Sequence, residues 1–134
     1  MTAGKSHKTF PATLENLYEM IAFIKHNAEV IGFHPEDIAK LEVASEEVLV
    51  NIISYAYPKG EGDLMIECQD LGEATLEIKF RDQGVEYDPT IHRGFVKKGD
   101  RIGGYGILLI FKLMDKVEYQ RDGDMNVLTI VKKV

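Results

Sequence analysis

Residues 35–82, PEDIAKLEVASEEVLVNIISYAYPKGEGDLMIECQDLGEATLEIKFRD, change their apolar period halfway along, and that change sets the fold class. In the first half Ile38, Leu41, Ala44, Val48, Ile52 and Tyr55 recur every three or four residues, which is one stripe of an α-helix. Pro35 suits a first helical position, where a missing N–H costs nothing, and Tyr57-Pro58 stops the run. In the second half Leu64, Ile66 and Cys68 alternate with Met65, Glu67 and Gln69. After a turn near Asp70 to Gly72, Leu76, Ile78 and Phe80 alternate with Glu77, Lys79 and Arg81. A period of two with one apolar face predicts antiparallel strands covered on one side.

Outward from this stretch the signals stay mixed. Upstream, the first seven residues are polar and expected to be loose, and Lys8 to Pro11 read as a short strand. Thr13 offers a helix N-cap before Leu14, Leu17, Ile21 and Ile24, and Gly32 ends that helix. Downstream, residues 83–104 hold no sustained period, and a structureless run of that length in a compact domain points to a functional lid, placed at 85–104. An almost wholly apolar helix follows, Ile107 to Met114. Strands around Val117 to Tyr119 and Val127 to Val131 are then joined through Asp122-Gly123, a hairpin signal. The expected fold is α+β, one domain spanning 1–134, with helices on one face of a mixed, mainly antiparallel sheet.

Composition narrows the function classes. The chain has 134 residues, 45% of them hydrophobic, enough for one core. One cysteine, Cys68, excludes an intrachain disulfide, and no N-terminal apolar run reads as a signal peptide or span, so a cytoplasmic protein without a membrane partner is expected. A net charge of −6 opposes nucleic acid as a partner. Against that background Thr90 to Ile102 is locally basic, with Arg93, Lys97, Lys98 and Arg101 facing the single acid Asp100. His7, His26, His34 and His92 share no metal-binding spacing.

Three short motifs carry chemistry. Glu47 and Asn51 lie four apart on the helix and therefore point into the same volume. Magnesium is a hard cation that takes oxygen ligands, and a neutral Asn carbonyl holds it without overcharging an anionic site. Asp82 ends a strand, where its carboxylate can accept from an exocyclic amine and so select adenine over guanine. Gly84 lets a planar ring or a backbone turn come close. Gly103, Gly104, Tyr105 and Gly106 stand before the apolar helix, where unpaired amides and the helix dipole suit a polyphosphate. The basic run adds positive charge beside them, and either Lys98 or Arg101 is placed to clamp a γ-phosphate.

In this order, Glu47-x-x-x-Asn51, Asp82-Gln83-Gly84 and Gly103-Gly104-Tyr105-Gly106 resemble the GHKL (Bergerat-fold) ATP-binding superfamily. The phrases EEVLVNIISYAY, RDQGVEYDP and GGYGILLIFKLMDKVEY most resemble its bacterial anti-sigma-factor serine/threonine kinases. The resemblance implies ATP and Mg2+ as cofactors, Asn51 as metal ligand and Glu47 as general base; Glu46, about 100° around the helix, ranks second. It also implies an anti-sigma-factor antagonist as substrate, a sigma factor as a second partner and a homodimer. The chain departs from the superfamily pattern at Glu86, where a second glycine is usual, and at Tyr55, where many such kinases carry His. The Tyr87-Asp88-Pro89 run favours the switch-kinase branch. A nucleotide-controlled binding module without transfer activity is the alternative. Histidine-kinase or topoisomerase-like assignments require further domains, for which one filled domain is expected to leave no room.

Overall fold

The computed structural model describes residues 4–92 and 105–134. Among these residues five strands form one sheet: β1 (Lys5–Pro11), β2 (Asp63–Gly72), β3 (Thr75–Asp82), β4 (Lys116–Asp122) and β5 (Met125–Lys133). Their order is β1-β2-β3-β5-β4 and all four pairings are antiparallel, so the mixed sheet allowed by the sequence reduces to its antiparallel part. Three helices, α1 (Leu17–Ile31), α2 (Pro35–Tyr55) and α3 (Tyr105–Leu113), contribute to the same core as one face of that sheet.

The register follows from the alternation. Leu64, Ile66 and Cys68 of β2 lie opposite Asp82, Phe80 and Ile78 of β3, and Phe80 and Ile78 lie opposite Leu128 and Ile130 of β5. These side chains meet Met20, Ile24, Leu41, Val48, Leu49, Ile107 and Ile110 from the helices in one buried cluster. A slip of one residue in any pairing sends this apolar set to the opposite face, so burial fixes the register. The same alternation carries Asp82 and Asn126, paired across β3 and β5, to the helix-covered side at one end of the sheet.

Several local expectations are corrected. Lys5 to His7 are not loose: they pair with Gln69, Cys68 and Glu67, which gives their backbone groups partners and lengthens β1 beyond Lys8. Thr13 accepts from Asn16 Nδ2 at 2.8 Å rather than from a helix amide; a 3-10 turn, Leu14–Asn16, comes first and α1 starts at Leu17. The β2–β3 turn falls at Glu73 and Ala74, beyond Asp70 to Gly72. Both have positive φ, 52° and 57°, a region uncommon for residues with a Cβ. Asp70 Oδ1 accepts from the Gly72 amide at 2.8 Å beside the register shift that precedes this turn. Helix ends obey the sequence better: Gly32 is left-handed at φ 100° and its amide reaches Ala28 and Glu29 carbonyls, while Pro35 opens α2.

Candidate functional site

A cleft of about 440 Å³, counting its open mouth, lies between the C-terminal half of α2, the end of β3, α3 and the β4–β5 hairpin. Val48, Ile52, Ile110 and Leu128 give it apolar walls, and Asn51, Asp82 and Asn126 bring polar groups to it. An apolar slot with a few convergent polar groups suits a planar ligand.

Asn51 arrives from α2. It is buried, and its Oδ1 has no hydrogen-bond partner among the described residues. Ser45 Oγ is the other such side-chain atom among the described residues, but Ser45 does not line the cleft. A buried amide oxygen without a donor carries a desolvation cost that a ligand or a cation relieves. The donor set therefore fits one oxygen ligand to a hard cation. Among the described residues no group of three or more His, Cys, Asp or Glu gathers for a metal.

Glu47 lies one turn before Asn51. It is half-buried, and the desolvation that follows raises its carboxyl pKa, with the neighbouring Glu46 charge adding to the rise. Its carboxylate lies against Gly106: a Cβ built there would stand 2.6 Å from Glu47 Oε2. Gly106 is the second residue of α3, not a residue before it, because the helix begins at Tyr105 rather than near Ile107. One turn onward along each helix are Asn51 and Ile110, both on the cleft. Glu47 and Gly106 thus flank the cleft one helical turn up. Glu46 is exposed and turned away from this contact.

Asp82 ends β3 and is only 3% exposed. Its Oδ1 accepts from the Gly84 amide at 2.8 Å and from Asn126 Nδ2 at 2.9 Å, and no hydrogen bond to its other oxygen is formed among the described residues. Gly84 does not line the cleft. A Cβ on it would lie 2.2 Å from the Ala56 carbonyl oxygen, so its close approach is to the backbone at the end of α2, where Val85 N also bonds Ala56 O at 2.9 Å. Tyr57 secures the same junction, accepting from Gln83 N at 2.8 Å and donating to Asp63 O at 2.6 Å. Burial raises its hydroxyl pKa and keeps it a donor.

Three residues of the hairpin escape the motif reading. Asn126 Nδ2 also donates to Val85 O at 2.8 Å, and Asn126 Oδ1 accepts from Tyr119 Oη and from Arg121 Nη1 at 3.1 Å. Arg121 Nη1 reaches Gly84 O at 2.9 Å, tying the post-β3 loop to the hairpin. Burial, then the Glu86 charge, raises the Tyr119 hydroxyl pKa, so it stays protonated as the donor. The one signal in sequence is period two: Tyr119, Arg121 and Asn126 fall on the covered face at the turn end of the hairpin.

The expected lid is partly fastened down. Asp88 Oδ1 accepts from the Thr90 amide at 2.8 Å and from Thr90 Oγ1, capping a 3-10 turn, Pro89–His92. The Tyr87 ring lies 5.5 Å from that of Tyr55 at the cleft. Lys98, Arg101, Gly103 and Gly104 lie outside the described residues, and of Tyr105 only the helical backbone is described.

A family model described as the histidine kinase-like ATPase domain matches residues 10–132. The chain belongs to this family. It is 31% identical over 122 residues to the serine-protein kinase RsbW of Halalkalibacterium halodurans, covering 85% of this chain and 74% of that protein. It is 33% identical over 109 residues to the serine-protein kinase RsbW of Bacillus cereus strain AH820, covering 75% and 68%. The fold is similar to the solved RsbU and RsbW domains of Rv1364c from Mycobacterium tuberculosis, with TM-score 0.71 and 16% identity over 98% of this chain. The chain spans about a third of that solved chain, 32%. A histidine kinase domain from the Erythrobacter litoralis EL346 blue-light activated histidine kinase is more distant, with TM-score 0.55, 16% identity and 87% of this chain covered. The GHKL anti-sigma-factor kinase resemblance read from the motifs is thereby borne out.

Proposed function

We propose that this protein is an ATP-dependent serine/threonine protein kinase of a partner-switching system. The observation that carries the reading is the meeting in one apolar cleft of Asn51, whose buried carbonyl lacks a donor among the described residues, and Asp82, whose second oxygen is unpaired among them. Asp82 accepts the adenine amine, the walls of Val48, Ile52 and Leu128 hold the ring, and the phosphates run toward the start of α3. Asn51 holds Mg2+, which when bound neutralises charge on the phosphates.

Glu47 is the general base. Its raised pKa brings it nearer to the working pH and makes it a better proton acceptor than an exposed carboxylate. A partner Ser or Thr hydroxyl oxygen forms the bond to the γ-phosphorus while the bond from that phosphorus to the β,γ-bridging oxygen breaks. The hydroxyl proton passes to Glu47 and ADP leaves. Lys98 or Arg101 stabilises the moving charge, with the amides at Gly103, Gly104, Tyr105 and Gly106 on the phosphates.

Support for a protein substrate comes from the relatives named serine-protein kinase and from the switch-kinase phrases. On that basis the substrate is an anti-sigma-factor antagonist, the second partner a sigma factor, and the working form a cytoplasmic homodimer. No helix among the described residues is long and apolar enough to cross a membrane. The test is incubation with labelled ATP, Mg2+ and candidate antagonists encoded nearby. Label on a partner Ser or Thr supports the kinase. Saturable ATP binding with no transfer to any candidate supports the nucleotide-controlled binding module instead.

A further inference from the structure

We propose that Asn126 dictates which oxygen of Asp82 reads the purine, and so acts as the positioning residue for selection at the 6-position of the base. The inference rests on the nucleotide reading above and goes beyond it by naming how the acceptor is aimed.

The Asn126 amide has only one workable orientation. Its Oδ1 takes the Tyr119 hydroxyl, Arg121 Nη1 at 3.1 Å and the Tyr87 amide at 3.4 Å, all donors. Both hydrogens of its Nδ2 are spent, on Asp82 Oδ1 at 2.9 Å and Val85 O at 2.8 Å. Turning the amide over would set NH2 against two donor-only groups, Arg121 Nη1 and the Tyr87 amide, and the carbonyl against a carboxylate and a carbonyl. Asn126 is 6% exposed, so water offers little compensation.

A fixed Asn126 fixes Asp82. Two donors, Gly84 N and Asn126 Nδ2, converge on Oδ1, so the oxygen left for a ligand in the cleft is Oδ2. That oxygen is a pure acceptor: it takes a hydrogen from a 6-amino purine and repels the carbonyl of a 6-oxo purine. The arrangement makes a distinctive statement about Asp82→Asn. The new amide must keep its carbonyl where the two donors point, which places its NH2 in the cleft. Recognition then inverts, from ATP toward ITP, which differs in presenting a carbonyl at position 6.

The experiment is titration calorimetry of ATP and of ITP, each with Mg2+, against the whole chain and its D82N, N126A and D82N/N126A variants. The ratio of the two affinities is the readout, because loss of folded protein or a general weakening of the cleft moves both nucleotides together. Wild type is expected to favour ATP by about tenfold or more, the range of a hydrogen bond to a charged group. N126A is expected to reduce that ratio by about fivefold or more, D82N to invert it, and the double variant to invert it less strongly than D82N, since only Gly84 N then orients the amide. An unchanged ATP/ITP ratio in N126A, or a D82N protein that still prefers ATP, overturns the inference while leaving the nucleotide site intact. Failure of wild type to bind either nucleotide overturns both.

Discussion

Gly106→Ala separates two roles that a glycine in this position can have. Among the described residues the added methyl meets nothing rigid: its nearest neighbour is Glu47 Oε2 at 2.6 Å, with Glu47 Cδ at 3.2 Å and Cγ at 3.8 Å. The end of a side chain can retreat, and ordinary contact requires it to move by a little under one ångström. In exchange α3 gains an alanine for a glycine near its start, worth up to about 1 kcal/mol of helix stability. The folded protein should therefore be as stable as wild type or slightly more so, with a melting temperature unchanged or raised by a few degrees. The displaced carboxylate is the assigned base, and positioned bases contribute about 10²–10⁴-fold to rate. A transfer rate lower by at least about tenfold is expected, with ATP affinity within about threefold of wild type. Differential scanning calorimetry, ATP titration and single-turnover transfer to a partner protein measure the three quantities. Wild-type transfer by the alanine variant, or a large loss of melting temperature, refutes the placement of Glu47 against Gly106.

Other substitutions test other parts of the site. Gly84→Ala differs in kind, because its Cβ meets backbone, the Ala56 carbonyl oxygen at 2.2 Å and its carbon at 2.6 Å. Overpacking against an immovable group costs about 1–3 kcal/mol, so a clearly lowered melting temperature is expected, and an unchanged one contradicts the contact. Asp82→Ala strands the Gly84 amide and Asn126 Nδ2 in a buried place, costing about 1–3 kcal/mol of stability as well as ATP affinity. Asn51→Ala removes an amide oxygen that no described residue uses, so the apoprotein melts within a few degrees of wild type while the gain in ATP affinity on adding Mg2+ disappears. For Glu47 the sign of the pH effect is set by its raised carboxyl: the folded state binds the proton more tightly than the unfolded, so its contribution to stability is lost as pH rises through the raised value. Glu47→Gln should then stabilise the protein near pH 7, with the advantage gone below the ordinary carboxylate pKa of 4.5, and transfer by wild type should fall as the base protonates on acidification. A melting temperature for the Gln variant equal to wild type at both pH values contradicts the desolvation of Glu47.

Much of the sheet was legible because alternation is a local property. Leu64 to Cys68 and Leu76 to Phe80 declare their faces without knowledge of partners, and every one of these apolar residues is buried in the core. The α2 stripe was equally readable, as were Gly32 and Pro35 as helix punctuation. What stayed hidden depends on pairing across the chain. Lys5 to His7 look solvated in isolation and become a strand only because β2 supplies an edge. Gly84 looks like a ligand-facing glycine until the Ala56 carbonyl is seen above it. Asn126 sits 44 residues from Asp82 in sequence, in a hairpin whose pattern speaks only of strands, and nothing local marks its amide as the partner of that carboxylate. Asn51 and Asp82 were legible as motif members, yet the absence of a donor on one and the single free oxygen on the other, among the described residues, are tertiary facts.

In the proposed reading, a single cleft assembles the α2 amide and the β3 carboxylate around one adenine nucleotide. Titration calorimetry of ATP with Mg2+ against wild type and Asp82→Ala tests it most directly. One saturable site per chain is expected in wild type, with affinity lower by at least about tenfold in the variant. No heat with wild type, or equal affinity in the two proteins, contradicts it.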